Sequence, residues 1–453
     1  MPRSSDIARD IVQTPDGGYF MFGVFGIDNS LWMVRIDSLG DSLWAVRYLP
    51  SGCDWVDPNA VIMTADHGYA MACYMGDSAG DWAYVLKVDS ACDSIWALRV
   101  RPPRRWAIAN DIAATRDGGF MVVGFSGRDS GYWSEAYAVR LDGAGETLWT
   151  RSYSGSRNVE AYAVKQTEDG GFVIVGWTGE LFDHDALVIR TDSLGHPLWT
   201  RTYGGRGDEG FNTIEFVLGG MVAAGWTTSY GVGGSDGWLV KLNEQGDTLW
   251  IVTHGGFADD AWEVSKTRDS GFVLYGQTFS YGAGASDMWL VKVDSLGAME
   301  WQRTFGGTDW DYASKALQTA DGGYVAAGMT MSFGESWGDA YVVKTDSSGR
   351  AAVREHAAPD RAAERASPRV ETSCPLAGEQ SVRYYLFRAG PMKLDLLDVA
   401  GRKREVIYQG HSSAGWHEVR LEAKLPSGTY FVRLEAGNAQ AVAKLVVPAS
   451  VTD

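Results

Sequence analysis

The chain has 453 residues, 45% of them hydrophobic, with 56 glycines, 19 tryptophans and a formal net charge of −17, which is material for a large core and more than one domain. Residues 1–350 carry 26 Lys/Arg against 45 Asp/Glu, an acidity that argues against nucleic acid or anionic lipid as a partner. No run is long and apolar enough to cross a membrane, and the opening MPRSSDIARD has no apolar stretch of the kind a signal peptide needs.

From the N-terminus, DIARDIVQT, GYFMFGVF, SLWMVRID and LWAVRYL read as four short strands. Asp-Gly-Gly separates the first two and supplies the positive-φ positions of a tight hairpin. DSLG separates the last two, its Asp accepting backbone N–H groups while Gly takes the left-handed conformation. The unit then recurs. DSLGDSLW (37–44) returns as DSACDSIW (89–96), DGAGETLW (142–149), DSLGHPLW (192–199), NEQGDTLW (243–250), DSLGAMEW (294–301) and DSSGRAAV (346–353), with the first six closing on Trp44, Trp96, Trp149, Trp199, Trp250 and Trp301. The Asp-Gly-Gly phrase keeps the same beat, at steps of 50, 51, 52, 49, 51 and 52 residues.

Seven copies of a four-strand unit at this period predict an all-β, seven-bladed β-propeller over residues 1–353. The recurring Trp is expected to fill the wedge between blades, at a cost of about 3–5 kcal/mol for Trp199→Ala. The motif resembles the repeat of the quinoprotein-like (PQQ-type) propellers, which also place an Asp and a turn Gly a few residues before a Trp. The resemblance covers about residues 6–353 and implies the architecture. With no vicinal Cys-Cys and no matching calcium and quinone constellation, no cofactor is expected.

Strand alternation puts the starts of first and third strands on one face of the disc. Acidic residues recur there: Asp6, Asp57, Glu160, Asp208, Asp259 and Asp311 before first strands, and Asp81, Glu135, Asp185, Asp236, Asp287 and Asp339 before third strands. They are either metal ligands or paired carboxylates for glycosidic chemistry, or caps on strand ends and loops. Capping is preferred because a single substrate needs one acid and one base and not a ring of them. Departures from the repeat carry more information. RPPRRWAIAN (101–110) puts Arg101, Arg104, Arg105 and Trp106 on an otherwise acidic rim, and loops of the same face add Tyr132, Trp133, Tyr230, Tyr281, Phe333, Trp337, Trp55 and Trp310. These rings either offer platforms to a sugar or a protein or pack against neighbouring loops.

Cys53, Cys73, Cys92 and Cys374 match no metal spacing, and Cys73 and Cys92 stand where other copies have Gly, which reads as drift. The seven histidines form no H-x-x-x-H pair, so zinc chemistry is not supported, and no catalytic residue is assigned. Asp183, His184 and Asp185 are the one local cluster that could approach a metal, and are read as solvated.

The repeat stops at Val353, and residues 354–373, rich in Pro, Ala and charge, read as a linker. Alternating runs between 381 and 447 then predict a small β-sandwich over 374–453. DVAGR (398–402), AGWHEV (414–419), LPSGTYFVRL (425–434) and KLVV (444–447) resemble the type A C-terminal sorting domain of the bacterial type IX (Por) secretion system and the related FlgD-like sandwich. The matching positions include Gly401, Gly415, Trp416, Gly428, Tyr430 and Lys444. The resemblance implies the type IX machinery as a partner and a secreted or outer-membrane-surface location. Such export implies a signal peptide, so the N-terminus reads as truncated; Val353 in place of the seventh Trp points to a lost strand that completed the ring. The function expected is a surface binding or structural module that recognises a polysaccharide or a surface protein. The alternative is an exported polysaccharide hydrolase or lyase using rim carboxylates.

Overall fold

The computed structural model describes residues 5–351 apart from 27–28, 79, 101–105, 128–132, 156, 181–182, 257–258 and 335–337, and residues 369–447 apart from 374–380, 387–388, 400, 414, 422–424, 427 and 437–438. The first repeat folds as β1 (Ile7–Gln13), β2 (Tyr19–Phe25), β3 (Ser30–Ile36) and β4 (Ser42–Tyr48), paired antiparallel in chain order. The next five repeats form the same four-stranded meander. The seventh contributes three described strands, Asp311–Gln318, Tyr324–Thr330 and Asp339–Thr345. First and last sheets meet: Ala8 and Ile11 share a buried cluster with Val325 and Ala327, and the Asp6 amide donates to the Gly338 carbonyl at 2.8 Å. The ring is a β-propeller.

Each hairpin is held by its own turn chemistry. After β1, Asp16 Oδ1 accepts from the Thr14 hydroxyl at 2.6 Å and the Gly18 amide at 3.3 Å, and Arg35 of β3 ion-pairs with the same carboxylate. The arrangement recurs as Asp66 with Lys87, Asp117 with Arg140, Asp169 with Arg190, Asp269 with Lys292 and Asp321 with Lys344. Partial burial works against these carboxylates, but the Thr hydroxyl and the cation outweigh it and hold Asp66, Asp269 and Asp321 down at about 2. In the DSLG turn, Asp37 Oδ1 accepts from the amides of Leu39 (2.8 Å) and Asp41 (2.9 Å) while Gly40 sits at φ +90°, so the phrase is turn chemistry.

The fourth-strand Trp of one blade lies under that turn of the next. A Cβ built on Gly195 would stand 2.6 Å from the Trp149 ring, and one on Gly246 2.9 Å from Trp199, so the glycine is required for contact as well as for φ. An Arg two residues after the Trp covers the ring's open side: Arg151, Arg201 and Arg303 stand 5.5, 6.0 and 5.7 Å from the indoles of Trp149, Trp199 and Trp301. The wedge is therefore filled from its outer edge, and Trp96, Trp149, Trp199, Trp250 and Trp301 remain half-buried; Trp44 alone is sealed. Val353 lies outside the described residues.

The C-terminal sandwich has two sheets. One pairs Arg369–Ser373, Ser381–Leu386 and Gly415–Arg420; the other runs Lys403–Ser412, Gly390–Leu397, Gly428–Ala436 and Ala439–Val447. Residues 369–373, the end of the predicted linker, are thus a strand of the domain. Val382, Tyr384, Leu394, Leu396, Val432, Leu434 and Leu445 fill the space between the sheets. Because its ring is only half-buried, Trp199→Ala should cost about 2–4 kcal/mol and Trp44→Ala about 3–5 kcal/mol. Denaturant melts of the two variants check the order; equal costs would contradict it.

Candidate functional site

The innermost strand of every blade faces a central channel, and each carries a bulge at the same place. The register slips at Arg9, Asn59, Asn110, Tyr162, Asn212, Trp262 and Ser314, so that two residues oppose one on the neighbouring strand. Arg9, Asn59, Asn110, Tyr162, Asn212 and Ser314 line the channel. These strands are sheet edges, and their unpaired backbone groups need partners. Side chains supply them from blade to blade. Asp10 accepts from the amides of Ile11 (2.8 Å) and Val61 (3.0 Å), and Asp111 from those of Ile112 and Val164, both at 2.8 Å. Asn59 donates to the Ala109 carbonyl, Asn110 to Ala161 and Ser265 to Ala316, at 2.8, 2.7 and 2.7 Å.

Charge in the channel breaks the symmetry of the ring. Lys315 stands among Asp10, Asp111 and Glu263, and Glu263 accepts from the Tyr275 hydroxyl at 2.6 Å. Burial opposes the Lys315 charge, but Tyr275, Asp10, Glu263 and Asp111 outweigh it and hold the ammonium well above its ordinary pKa. Burial pushes Asp10 and Glu263 up, and Asp111 up to about 6 despite its two amide donors. Beside Tyr162, whose hydroxyl donates to Glu160 at 3.1 Å, burial pushes the Glu160 carboxyl up to about 7. None of these groups except Glu160 was singled out from sequence. The one signal available was polar residues inside otherwise apolar first strands.

The rim carboxylates behave differently. Asp6 accepts from the Gly26 amide at 3.0 Å, Asp236 from Val232 at 2.7 Å, and Asp287 from Ala283 at 2.9 Å and Gly284 at 3.2 Å. Asp311 accepts from the Gly307 amide (2.9 Å) and the Ser332 hydroxyl (2.6 Å). Asp57 takes both ends of Arg9, and Asp81 accepts from Tyr74. The residue equivalent to Asp311 in blade 5 is Glu209, not Asp208: Glu209 accepts from Gly205 (2.9 Å) and Ser229 (3.1 Å), while Asp208 caps the His184 amide at 3.0 Å. Acids of adjacent blades converge on the first loop glycine. A Cβ on Gly306 would meet Asp287 Oδ1 at 2.3 Å and Asp311 Oδ2 at 2.5 Å; one on Gly204 would meet Asp185 and Glu209. The Asp183, His184, Asp185 cluster disperses, with Asp183 on Arg157 at 3.0 Å. Among the described residues no group of three or more His, Cys, Asp or Glu could hold a metal.

Of the predicted platform residues, Trp133, Phe333, Trp310, Tyr281 and Tyr230 are 54%, 46%, 44%, 43% and 38% exposed. Tyr230 also stacks on Trp238 at 5.8 Å and donates to the Gly204 carbonyl, Tyr281 tilts against Trp289 at 6.0 Å, and Trp310 meets Phe279 edge-on at 5.3 Å. Trp55 and Trp106 are half-buried packing residues, lying over Gly76 and Gly127 with edge contacts to Tyr74 and Phe125. Arg101, Arg104, Arg105, Tyr132 and Trp337 lie outside the described residues, as do the side chains of Asp259, Trp416 and Lys444. Cys53, Cys73 and Cys92 are buried free thiols.

No family model matches the chain, and no curated protein does. Solved structures share the propeller outline at low identity. Sqt1 from Chaetomium thermophilum is 12% identical, with 79% of this chain and 85% of that one covered and a TM-score of 0.44. The polysaccharide lyase Uly1 is 11% identical over 75% and 90%, at 0.45. Prolyl oligopeptidase B from Galerina marginata is 10% identical over 85% and 56%, at 0.47. Similarity at this level carries no functional argument.

The titrations oppose one another. Glu160 and Asp111 have raised folded pKa values, so the stability they contribute is present below their unfolded values near 4.5 and 3.8 and is lost as pH rises through about 7 and about 6. The turn aspartates are depressed, so theirs is present above 3.8 and lost as pH falls toward about 2. Thermal melts should therefore peak between about pH 4 and 5 and decline toward neutrality. Glu160→Gln should flatten the decline between pH 5 and 8; an unchanged slope would place Glu160 in water.

Proposed function

We propose that this chain is a secreted or cell-surface propeller that binds carbohydrate and that its C-terminal sandwich is the address for type IX export. The observation that carries the binding reading is the division of labour on the rim. The recurring carboxylates are engaged in holding loop amides, which leaves exposed rings, among them Trp133, Phe333, Trp310, Tyr281 and Tyr230, to meet a ligand on that face. Flat apolar faces with polar edges suit the C–H faces of sugar rings, and the capped carboxylates around them accept hydroxyl hydrogen bonds at little reorganisation cost.

A glycan array probed with the intact chain tests this. Trp133→Ala, Trp310→Ala and Tyr281→Ala combined should weaken any captured glycan by about tenfold or more, a loss of at least about 1.4 kcal/mol. Unchanged capture would remove the platform.

A second reading is an exported polysaccharide-acting enzyme, favoured by Glu160, whose carboxyl is poised near 7 and accepts from the hydroxyl of Tyr162, a residue that lines the channel. Product release from the captured glycan, seen as new reducing ends or unsaturated termini and abolished by Glu160→Gln, would select it; capture without product selects the binder. The export address is tested separately. A reporter carrying residues 354–453 in a bacterium with a type IX system should reach the cell surface, and replacement of Gly428 and Tyr430 should strand it in the periplasm.

A further inference from the structure

Six tryptophans occupy one register of the propeller, so five of them serve as controls for the sixth. Trp44 is 1% exposed where the other five are half-buried. Phe431 of the sandwich makes the difference: its ring lies parallel to the Trp44 indole with centroids 5.2 Å apart. Leu397 and Phe431 belong to the same buried cluster as Trp44 and Cys92, with Leu43 and Val442 packed against it. The Thr429 hydroxyl donates to Asp93 at 2.8 Å, and Gly401 lies over Leu43, where an added Cβ would stand 3.1 Å from its side chain.

The propeller side is independently adapted. Three other copies of the third-to-fourth-strand turn carry a protruding leucine, Leu39, Leu194 and Leu296, all more than half exposed, and in blade 3 the alanine at this position, Ala144, is exposed; in blade 2 Ala91 and Cys92 are 2% and 5% exposed. Cys92 also takes the left-handed conformation of the usual glycine, at φ +64°. The sequence departure DSACD is thus a surface made small and apolar, with Asp93 as its acceptor, beneath the sandwich. This is not drift.

We infer that the outer corner of blades 1 and 2 is a seat built for this chain's own C-terminal sandwich, and that docking closes over the sandwich's motif face. Gly401 of DVAGR and Thr429 and Phe431 of GTYF are the contacts. The second half rests on the reading of the sandwich as an export address: a receptor that reads this face meets it only when the sandwich is off its seat.

The experiment uses the full chain. Phe431→Asp from the sandwich side and Ala91→Arg from the propeller side should each raise the radius of gyration in X-ray scattering. Each should also speed amide exchange at residues 43–46 and 91–93 by about tenfold or more, with exchange in the blades around Trp199 unchanged. Phe431→Leu should stay compact. If Phe431→Asp disrupts the sandwich itself, Ala91→Arg, which alters no sandwich residue, decides. Unchanged scattering and exchange in Ala91→Arg would overturn the seat. These readouts are made on purified protein, so loss of the export reading leaves them standing, and failure of the seat leaves the reporter assay standing.

Discussion

Cohesion between blades is the constraint on which the rest of the molecule depends. Among the described residues no strand ladder joins one sheet to the next and only isolated backbone bonds do, such as that from the Asp6 amide to the Gly338 carbonyl, so the ring is held shut mainly by side chains. At the outer radius an indole slides under the next blade's turn, which is why a glycine and a tryptophan recur together across a period of about fifty residues. At the inner radius the exposed edges of the first strands are clasped by Asp10, Asp111, Asn59, Asn110 and Ser265. The same need, partners for an edge strand, therefore produces both the architecture and the polar lining of the channel.

The carboxylates illustrate how position decides chemistry. Those in the Asp-Gly-Gly turns meet a hydroxyl, an amide and a cation at the surface, and stay ionised. Those on the rim meet loop amides and become caps. Asp111 and Glu263 in the confined channel, and Glu160 beside Tyr162, also accept hydrogen bonds, but there desolvation dominates. Residue type is the same throughout; the number of donors and the access of water differ.

The repeat, the strand order, the turn role of Asp37, the tight Asp-Gly-Gly hairpin and the burial side of the tryptophans were legible because each is written about once per blade, and repetition exposes what a local geometry requires. The shift from Asp208 to Glu209 was not legible, since two acids stand side by side and only the loop amide of Gly205 distinguishes them. Nor was the packing role of Trp55 and Trp106: a tryptophan in a loop-like stretch reads as exposed until Gly76 and Gly127 are placed beneath it. Cys92 looked like decay of the motif, because its reason lies more than three hundred residues away in the sandwich.

Local chemistry by itself determined that this chain is a ring of β-meanders followed by a smaller β domain, because hairpin turns and strand alternation depend on neighbours a few residues apart. Only the tertiary structure decided which polar groups face the channel, which rings remain open to a ligand and where the tail rests. Those outcomes depend on distances between segments fifty to several hundred residues apart, set by closure of the ring and by complementary packing, and a repeat pattern is silent about both.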